Sequence, residues 1–313
     1  MYYQDIIKEN KVDIFPIEFP NQNIILKGNL YKPKNTELKK FPSIIVGHPA
    51  GGVKEQTAGV YAVKLAECGY LTLTFDAGYQ GESTGEPRYL ENPYSRVEDF
   101  RCAVDYLETR DDVDKDRIGI CGMCAAGGYV IKAAETDLRM KVITTVSMAD
   151  LGDMFRNGLE RKMTPEIKKG LFTQICEQRT KEARGEPILY SNYVPKSEKE
   201  CENKENDYKE AYDYYRVSPA KHPRSVNKFI FSRMDAIINF TALDHVELLE
   251  RPLLVIAGNK ANTKYFAEEA YKKAKQPKEI HFVDGATHID LYFKKDYVLE
   301  SVKKLNEFYK KYL

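Results

Sequence analysis

The sequence carries almost no net charge: across 313 residues, 48 Lys+Arg stand against 47 Asp+Glu, a formal balance of +1. Such a chain projects no long-range field, so neither nucleic acid nor a membrane surface is expected as a partner. It also lacks any apolar run near the roughly 20 residues that a membrane helix needs. Its longest candidates, such as Leu253–Gly258, are strand-sized. The N-terminal MYYQDIIKENKVD is polar and has no apolar core of the kind a secretory signal requires, which points to the cytoplasm. Cysteine is sparse. Six residues without the density of a disulfide framework fit reduced thiols. There is no second C-x-x-C and no H-E-x-x-H, and Cys176 and Cys201 stand alone, so no metal site is expected. Internal repeats and low-complexity tracts are missing as well. What is present, 42% hydrophobic and 30% charged residues, is the composition of a globular protein with a sizeable core.

Strand and helix patterns alternate along much of the chain. Val12–Phe19 and Ile24–Tyr31 read as a β-hairpin joined by residues 20–23. Strands are predicted at Pro42–Gly47, Leu71–Phe75, Arg117–Met123, Val142–Val146, Pro252–Gly258 and Glu279–Val283. Helices are predicted at Gln56–Cys68, Asn92–Leu107, Cys124–Ala134, Thr263–Lys275 and Tyr297–Tyr309. The last carries Val298, Val302, Leu305 and Phe308 as its buried stripe. Strands apolar throughout, alternating with amphipathic helices, imply an α/β fold with a mostly parallel sheet covered on both faces. The rhythm breaks between residues 151 and 250, a Lys/Glu- and Tyr-rich stretch with helical patches such as Phe229–Phe240 and no clear strand. The expected organisation is therefore one domain, its core formed by 1–150 and 251–313, interrupted by a helical insertion at 151–250. Residues 196–209 read as a mobile loop or an exposed helix.

The chemistry concentrates at Arg117–Gly128, RIGICGMCAAGG. A direct turn from strand to helix strains its central residue and presses together the residues two before and two after it, so both must be small. Gly122 and Ala126 take those places around Cys124, whereas centring the pattern on Cys121 would crowd Met123. A thiol at a helix N-terminus feels the positive end of the dipole and free N–H groups, which favours thiolate. The Ala125 N–H points where an oxyanion would form. The bland reading makes Cys124 a small buried hydrophobe. Cys121-Gly-Met-Cys124 also matches a redox pair, but Cys121 lies within the strand, whereas such a motif puts its first cysteine at the helix start.

Two loops complete the constellation. His48-Pro-Ala-Gly-Gly52 follows an apolar strand, so Ala50 or Gly51 can supply a second oxyanion donor, with His48 in a structural role. Asp284-Gly-Ala-Thr-His288 follows the last strand, at the carboxyl edge where open α/β folds bind ligands, and makes His288 the candidate base. Asn262 or Asp150 is the candidate for orienting its imidazole, with Asn262 ranked first. Asp76 and Ser83 are read as shaping their own loop.

Taken together, HPAGG, FDAGYQGESTGEP, GMCAAGG, HPRSVNKFIFS, PLLVIAGNKANTKYF and DGATHIDLY resemble the bacterial YcjY-type α/β-hydrolases, relatives of dienelactone hydrolase, from about residue 12 onward. The resemblance implies the α/β-hydrolase fold, a mostly parallel eight-stranded sheet flanked by helices and bearing a helical lid. It also implies a Cys or Ser nucleophile at 124 and a base at 288. Two positions depart from the pattern: Ala126 replaces the usual glycine, and Asn262 stands where relatives carry an acid. The expected activity is hydrolysis of an ester, lactone or thioester without a cofactor, on a small-molecule acyl substrate. A homodimer is left open. Tyr190, Tyr193, Tyr212, Tyr214 and Tyr215 are expected to shape an apolar pocket. The competing reading is a non-catalytic small-molecule-binding protein on the same fold.

Overall fold

The computed structural model describes residues 1–34, 36–202 and 206–313. Its strands, in chain order, are β1 Val12–Asn21, β2 Ile24–Pro33, β3 Phe41–Gly47, β4 Leu71–Phe75 and β5 Val113–Met123, followed by β6 Val142–Val146, β7 Tyr190–Asn192, β8 Lys228–Ile230, β9 Leu253–Gly258 and β10 Lys278–Val283. Eight of them form one sheet in the order β1-β2-β4-β3-β5-β6-β9-β10, while β7 and β8 form a separate ribbon. From β4 to β10 every pairing is parallel. The β1–β2 hairpin joins antiparallel through β2. Its turn is tighter than the sequence suggested: Asn21 pairs with Ile24, which leaves Gln22 and Asn23 as a two-residue loop, with Gln22 at φ 52.

The two-residue period of the inner strands decides which core each side chain enters. Ile44, Val46, Cys121, Leu254 and Ile256 point to one face and pack with Tyr61 of helix Thr57–Glu67 and with Val298, Leu305 and Phe308 of helix Lys295–Tyr312. Their neighbours Ile45, Ile120, Leu253 and Val255 point to the other. There they meet Phe100 and Val104 of helix Pro93–Glu108, Tyr129 of helix Ala125–Ala134 and Phe266 of helix Lys264–Lys273. Strands covered on both sides must be apolar on both sides, which is why β3, β6 and β9 are buried at every position. Each large side chain so buried contributes on the order of 1.5–3 kcal/mol. Helix Pro93–Glu108 starts where Asn92 accepts N–H bonds from Tyr94 (3.0 Å) and Ser95 (3.4 Å), with Pro93 in the first turn.

Between β6 and β9 the chain is mainly helical, with its longest helix at Pro165–Ala183. Two details differ from the sequence reading. The stretch contains strands after all: β7 and β8 pair antiparallel, Tyr190 opposite Ile230. Three residues are too few to display a period of two. Phe229–Phe240, read as helical, begins in β8 and is α-helical only at Met234–Asn239. The segment 196–209 includes residues 203–205, which lie outside the described residues. Its described parts contain a 3₁₀ turn at Glu198–Cys201 and the start of a helix at Asn206–Tyr212.

Candidate active site

The carboxyl ends of β3, β5, β9 and β10 converge on one edge of the sheet. At the end of β5, Cys124 holds φ 54 and ψ −122 immediately before helix Ala125–Ala134. A side chain in that conformation costs on the order of 1–3 kcal/mol and needs its surroundings to hold it. Three backbone bonds do so: Cys124 N–H donates to Val146 O (3.1 Å), while its carbonyl accepts from Gly127 (2.8 Å) and Ala149 (3.0 Å). The crowding inferred from the sequence is present. A Cβ on Gly122 would lie 2.4 Å from the carbonyl oxygen of Ala126.

The Cys124 thiol faces the backbone N–H groups of Ala125 and Ala50 and the hydroxyl of Tyr292. Burial pushes the thiol up from its ordinary range; the Tyr292 bond, the two N–H groups and the Arg96 charge pull it down without overcoming that. The resting group is therefore a neutral thiol, contrary to the thiolate expected from its place at a helix N-terminus. Desolvation penalises the charged form more than the helix end favours it. Cys121 lies fully buried in β5, with its thiol pushed up to about 12 by burial. Both cysteines are free.

Of the two donors proposed on the His48–Gly52 loop, the Ala50 N–H is the one that meets the sulfur. Gly51 shapes the loop instead. It holds φ +68, its carbonyl accepts from Ser225 Oγ and Asn227 Nδ2 (both 2.9 Å), and a Cβ there would lie 2.8 Å from Asn227 Cα. His48 is a structural bridge: Ala77 N–H donates to its Nε2 (3.1 Å), so Nδ1 carries the proton and donates to Pro49 O (2.7 Å). Arg96 Nη2 donates to His48 O (3.3 Å). Arg96 is itself anchored by Glu91, which accepts from Tyr129 Oη (2.8 Å) and Gln80 Nε2 (2.7 Å). This buried group under the oxyanion loop has no signal in the sequence, because its members come from separate segments that only the fold brings together. Asp76 does shape its own loop, accepting from Lys54 N (2.9 Å) and Glu82 N (2.8 Å), and Ser83 Oγ donates to its carbonyl.

His288 is buried, and Ser147 Oγ donates to its carbonyl (2.9 Å). Its ring nitrogens have two partners: Nδ1 lies 2.5 Å from Thr263 Oγ1 and Nε2 lies 2.9 Å from Tyr292 Oη. The imidazole is pushed down to about 4 by burial, so it is neutral. Neither Asn262 nor Asp150 takes the orienting place. Asp150 caps helix Leu151–Asn157, accepting from Asp153 N (3.0 Å) and Ala242 N (2.9 Å). Asn262 lies one residue short of Thr263, whose hydroxyl holds the ring. Thr263 stands at the N-cap of helix Lys264–Lys273, immediately after Asn262, and an uncharged hydroxyl there gives no signal in the sequence. Tyr292 follows His288 by four residues, on the short helix Asp290–Phe293 that begins just after the histidine, and that closeness in sequence is the signal that could find it.

Tyr214 and Tyr215 form a buried cluster with Val194, Ile289 and Tyr292, and Cys124, Tyr193 and Tyr212 pack against it. Tyr190 stands apart, edge-on to Tyr89 at 6.0 Å. Among the described residues no group of three or more His, Cys, Asp or Glu is placed to hold a metal ion, and no helix is long and apolar enough to cross a membrane.

A parallel-centred sheet with a strained turn after β5, two N–H groups at the turn residue and a histidine loop after the last strand define an α/β-hydrolase. The dienelactone hydrolase family model matches residues 26–148. The chain is 39% identical over 308 residues to the uncharacterized protein YcjY of Escherichia coli (strain K12), covering 95% of this chain and 98% of that one. It is 36% identical over 293 residues to PA2218 of Pseudomonas aeruginosa, covering 91% and 78%. A crystal structure of PA2218 superposes with a TM-score of 0.91 at 34% identity, covering 97% of this chain and 94% of that one. A more distant relative, the thiohydrolase aneE of Aspergillus aculeatus, is 31% identical over 154 residues, 49% of this chain and 44% of that one. The chain belongs to the family of YcjY and PA2218, and its segment 26–148 matches the dienelactone hydrolase family, which places it among the α/β-hydrolases.

Proposed function

We propose that the protein hydrolyses an ester, lactone or thioester through an acyl-Cys124 intermediate. The observation that carries this is the meeting of three groups at one sulfur: the Ala50 and Ala125 N–H groups and the hydroxyl that leads to His288. As Sγ attacks the acyl carbonyl, the carbonyl oxygen takes the charge and the two N–H groups bond it. Preorganised donors of this kind contribute most where charge develops. The thiol proton passes to the base, and the oxyanion collapses as the bond to the alcohol or thiol breaks, with that proton returned to the leaving group. His288 then takes a proton from water as water attacks the acyl-thioester, releasing the acid and the free thiol. A neutral imidazole is the form needed to accept a proton, and burial keeps it neutral.

The Tyr193, Tyr214 and Tyr215 cluster supports an apolar acyl group, with residues 151–250 serving as a lid. The name of the aneE relative favours thioesters among the candidates. A panel of p-nitrophenyl and thioester acyl substrates tests the reading, comparing wild type with Cys124→Ala. Hydrolysis abolished in the variant supports it; equal background rates in both leave a small-molecule-binding protein on a hydrolase fold.

A further inference from the structure

The candidate nucleophile and base are linked through a third side chain. Tyr292 Oη lies 2.9 Å from His288 Nε2, and the same phenol belongs to the cluster that Cys124 packs against, so it faces the thiol. Its ring is fixed: it packs edge-on to Tyr214 at 5.4 Å and against the His288 ring at 5.5 Å, and it is buried. With Thr263 Oγ1 accepting from Nδ1–H, Nε2 is left as an acceptor for the phenol proton. The phenol oxygen is then free to accept from S–H, so the thiol, phenol and Nδ1–H protons each have an acceptor along the chain Cys124, Tyr292, His288, Thr263.

We propose that Tyr292 is a proton relay: as Cys124 Sγ attacks, the thiol proton moves to the Tyr292 oxygen while the phenol proton moves to Nε2 of His288. The inference rests on the reading of Cys124 as nucleophile and His288 as base. One S–C bond forms as the C=O π bond breaks and its electron pair moves to the oxyanion; one S–H and one O–H bond break, and one O–H and one N–H bond form. Tyrosine ends neutral, and the positive charge resides on the imidazole. Reversal of the same two transfers delivers the proton to the leaving group. The groups that face the phenol are Cys124, His288, Tyr214 and Tyr215, all neutral at rest. Nothing there stabilises a free phenolate, so the two transfers run together.

The test is a double-mutant cycle on alkylation of Cys124 by iodoacetamide, in which iodide leaves and the thiol proton ends on His288. Mass spectrometry of the Cys124 peptide separates it from the exposed Cys176. Tyr292→Phe, His288→Ala and the double variant are compared with wild type as full-length proteins. A relay in series predicts that each single change slows alkylation about tenfold or more, within the general-base range, and that the double variant is no slower than His288→Ala alone. Multiplying effects, a Tyr292→Phe enzyme at the wild-type rate, or no effect of either change would each overturn it. The wild-type rate in H₂O/D₂O mixtures is a second readout that requires no variant to fold. Two protons in flight bow the plot downward, and a straight line contradicts the relay. Coupling without turnover of any ester or thioester removes the hydrolase reading alone, whereas acylation of Cys124 without coupling removes the relay alone.

Discussion

Replacing Thr263 by valine keeps the shape of the side chain and deletes the one hydroxyl bonded to His288 Nδ1. In the tautomer the relay uses, with Nδ1–H donating to Thr263, the ring then carries a buried N–H with no acceptor. Leaving such a donor unsatisfied costs about 1–3 kcal/mol. If the wild-type tautomer and ring position are needed in the transition state, that energy appears in kcat/KM as a loss of roughly 5- to 150-fold. A p-nitrophenyl acyl ester, followed at constant pH with the variant verified as folded, gives the number. Thr263→Ser restores a hydroxyl and is expected to recover most of the rate, which separates hydrogen bonding from packing. Asn262→Ala is expected to stay near wild type. The reasoning is refuted if Thr263→Val keeps the wild-type kcat/KM while Asn262→Ala or Asp150→Ala loses it, because the ring would then be held by a residue other than the one 2.5 Å away.

Other consequences follow from the same geometry. Asp150→Ala removes the cap of helix Leu151–Asn157 and is expected to lower stability to denaturant by about 1 kcal/mol or somewhat more, with activity per folded molecule unchanged. Gly122→Ala drives a Cβ to 2.4 Å from Ala126 O, which backbone cannot yield cheaply, so a large fall in Tm and loss of Cys124 alkylation together are expected. The His288 imidazole, down at about 4 when folded, binds fewer protons than the unfolded chain between its folded value and the usual 6.5. Its contribution to stability is therefore complete above about pH 6.5 and is lost as pH falls toward 4, on the order of 3 kcal/mol in all. Urea titrations at several pH values check the slope, and His288→Ala should flatten it in that window.

The sheet was legible because its inner strands are short runs of apolar and β-branched residues broken by no charge, as suits strands buried on both faces. Leu71–Phe75, Val142–Val146 and Leu253–Gly258 have no other use for such runs. The strained turn was legible for a similar reason: crowding at Gly122 leaves its mark on residue size. The insertion was harder, since β7 and β8 are three residues each and held by pairing rather than by pattern. The surroundings of His288 were hardest. Which neighbour reaches a ring nitrogen depends on angstroms set by loop conformation, and a threonine leaves no charge signature in a sequence. The helix end alone favours a Cys124 thiolate, whereas burial in the assembled fold, which no local sequence feature shows, pushes the thiol up.

The central claim is that Cys124 becomes acylated. Brief incubation with a p-nitrophenyl or thioester acyl substrate, acid quench and peptide mass spectrometry tests it directly. The account predicts the mass of one acyl group on the peptide containing Cys124, absent in Cys124→Ala and accumulating in His288→Ala whenever acylation still proceeds. Turnover of the substrate with no acyl group on Cys124, or with the acyl group on another side chain and full activity in Cys124→Ala, would contradict it.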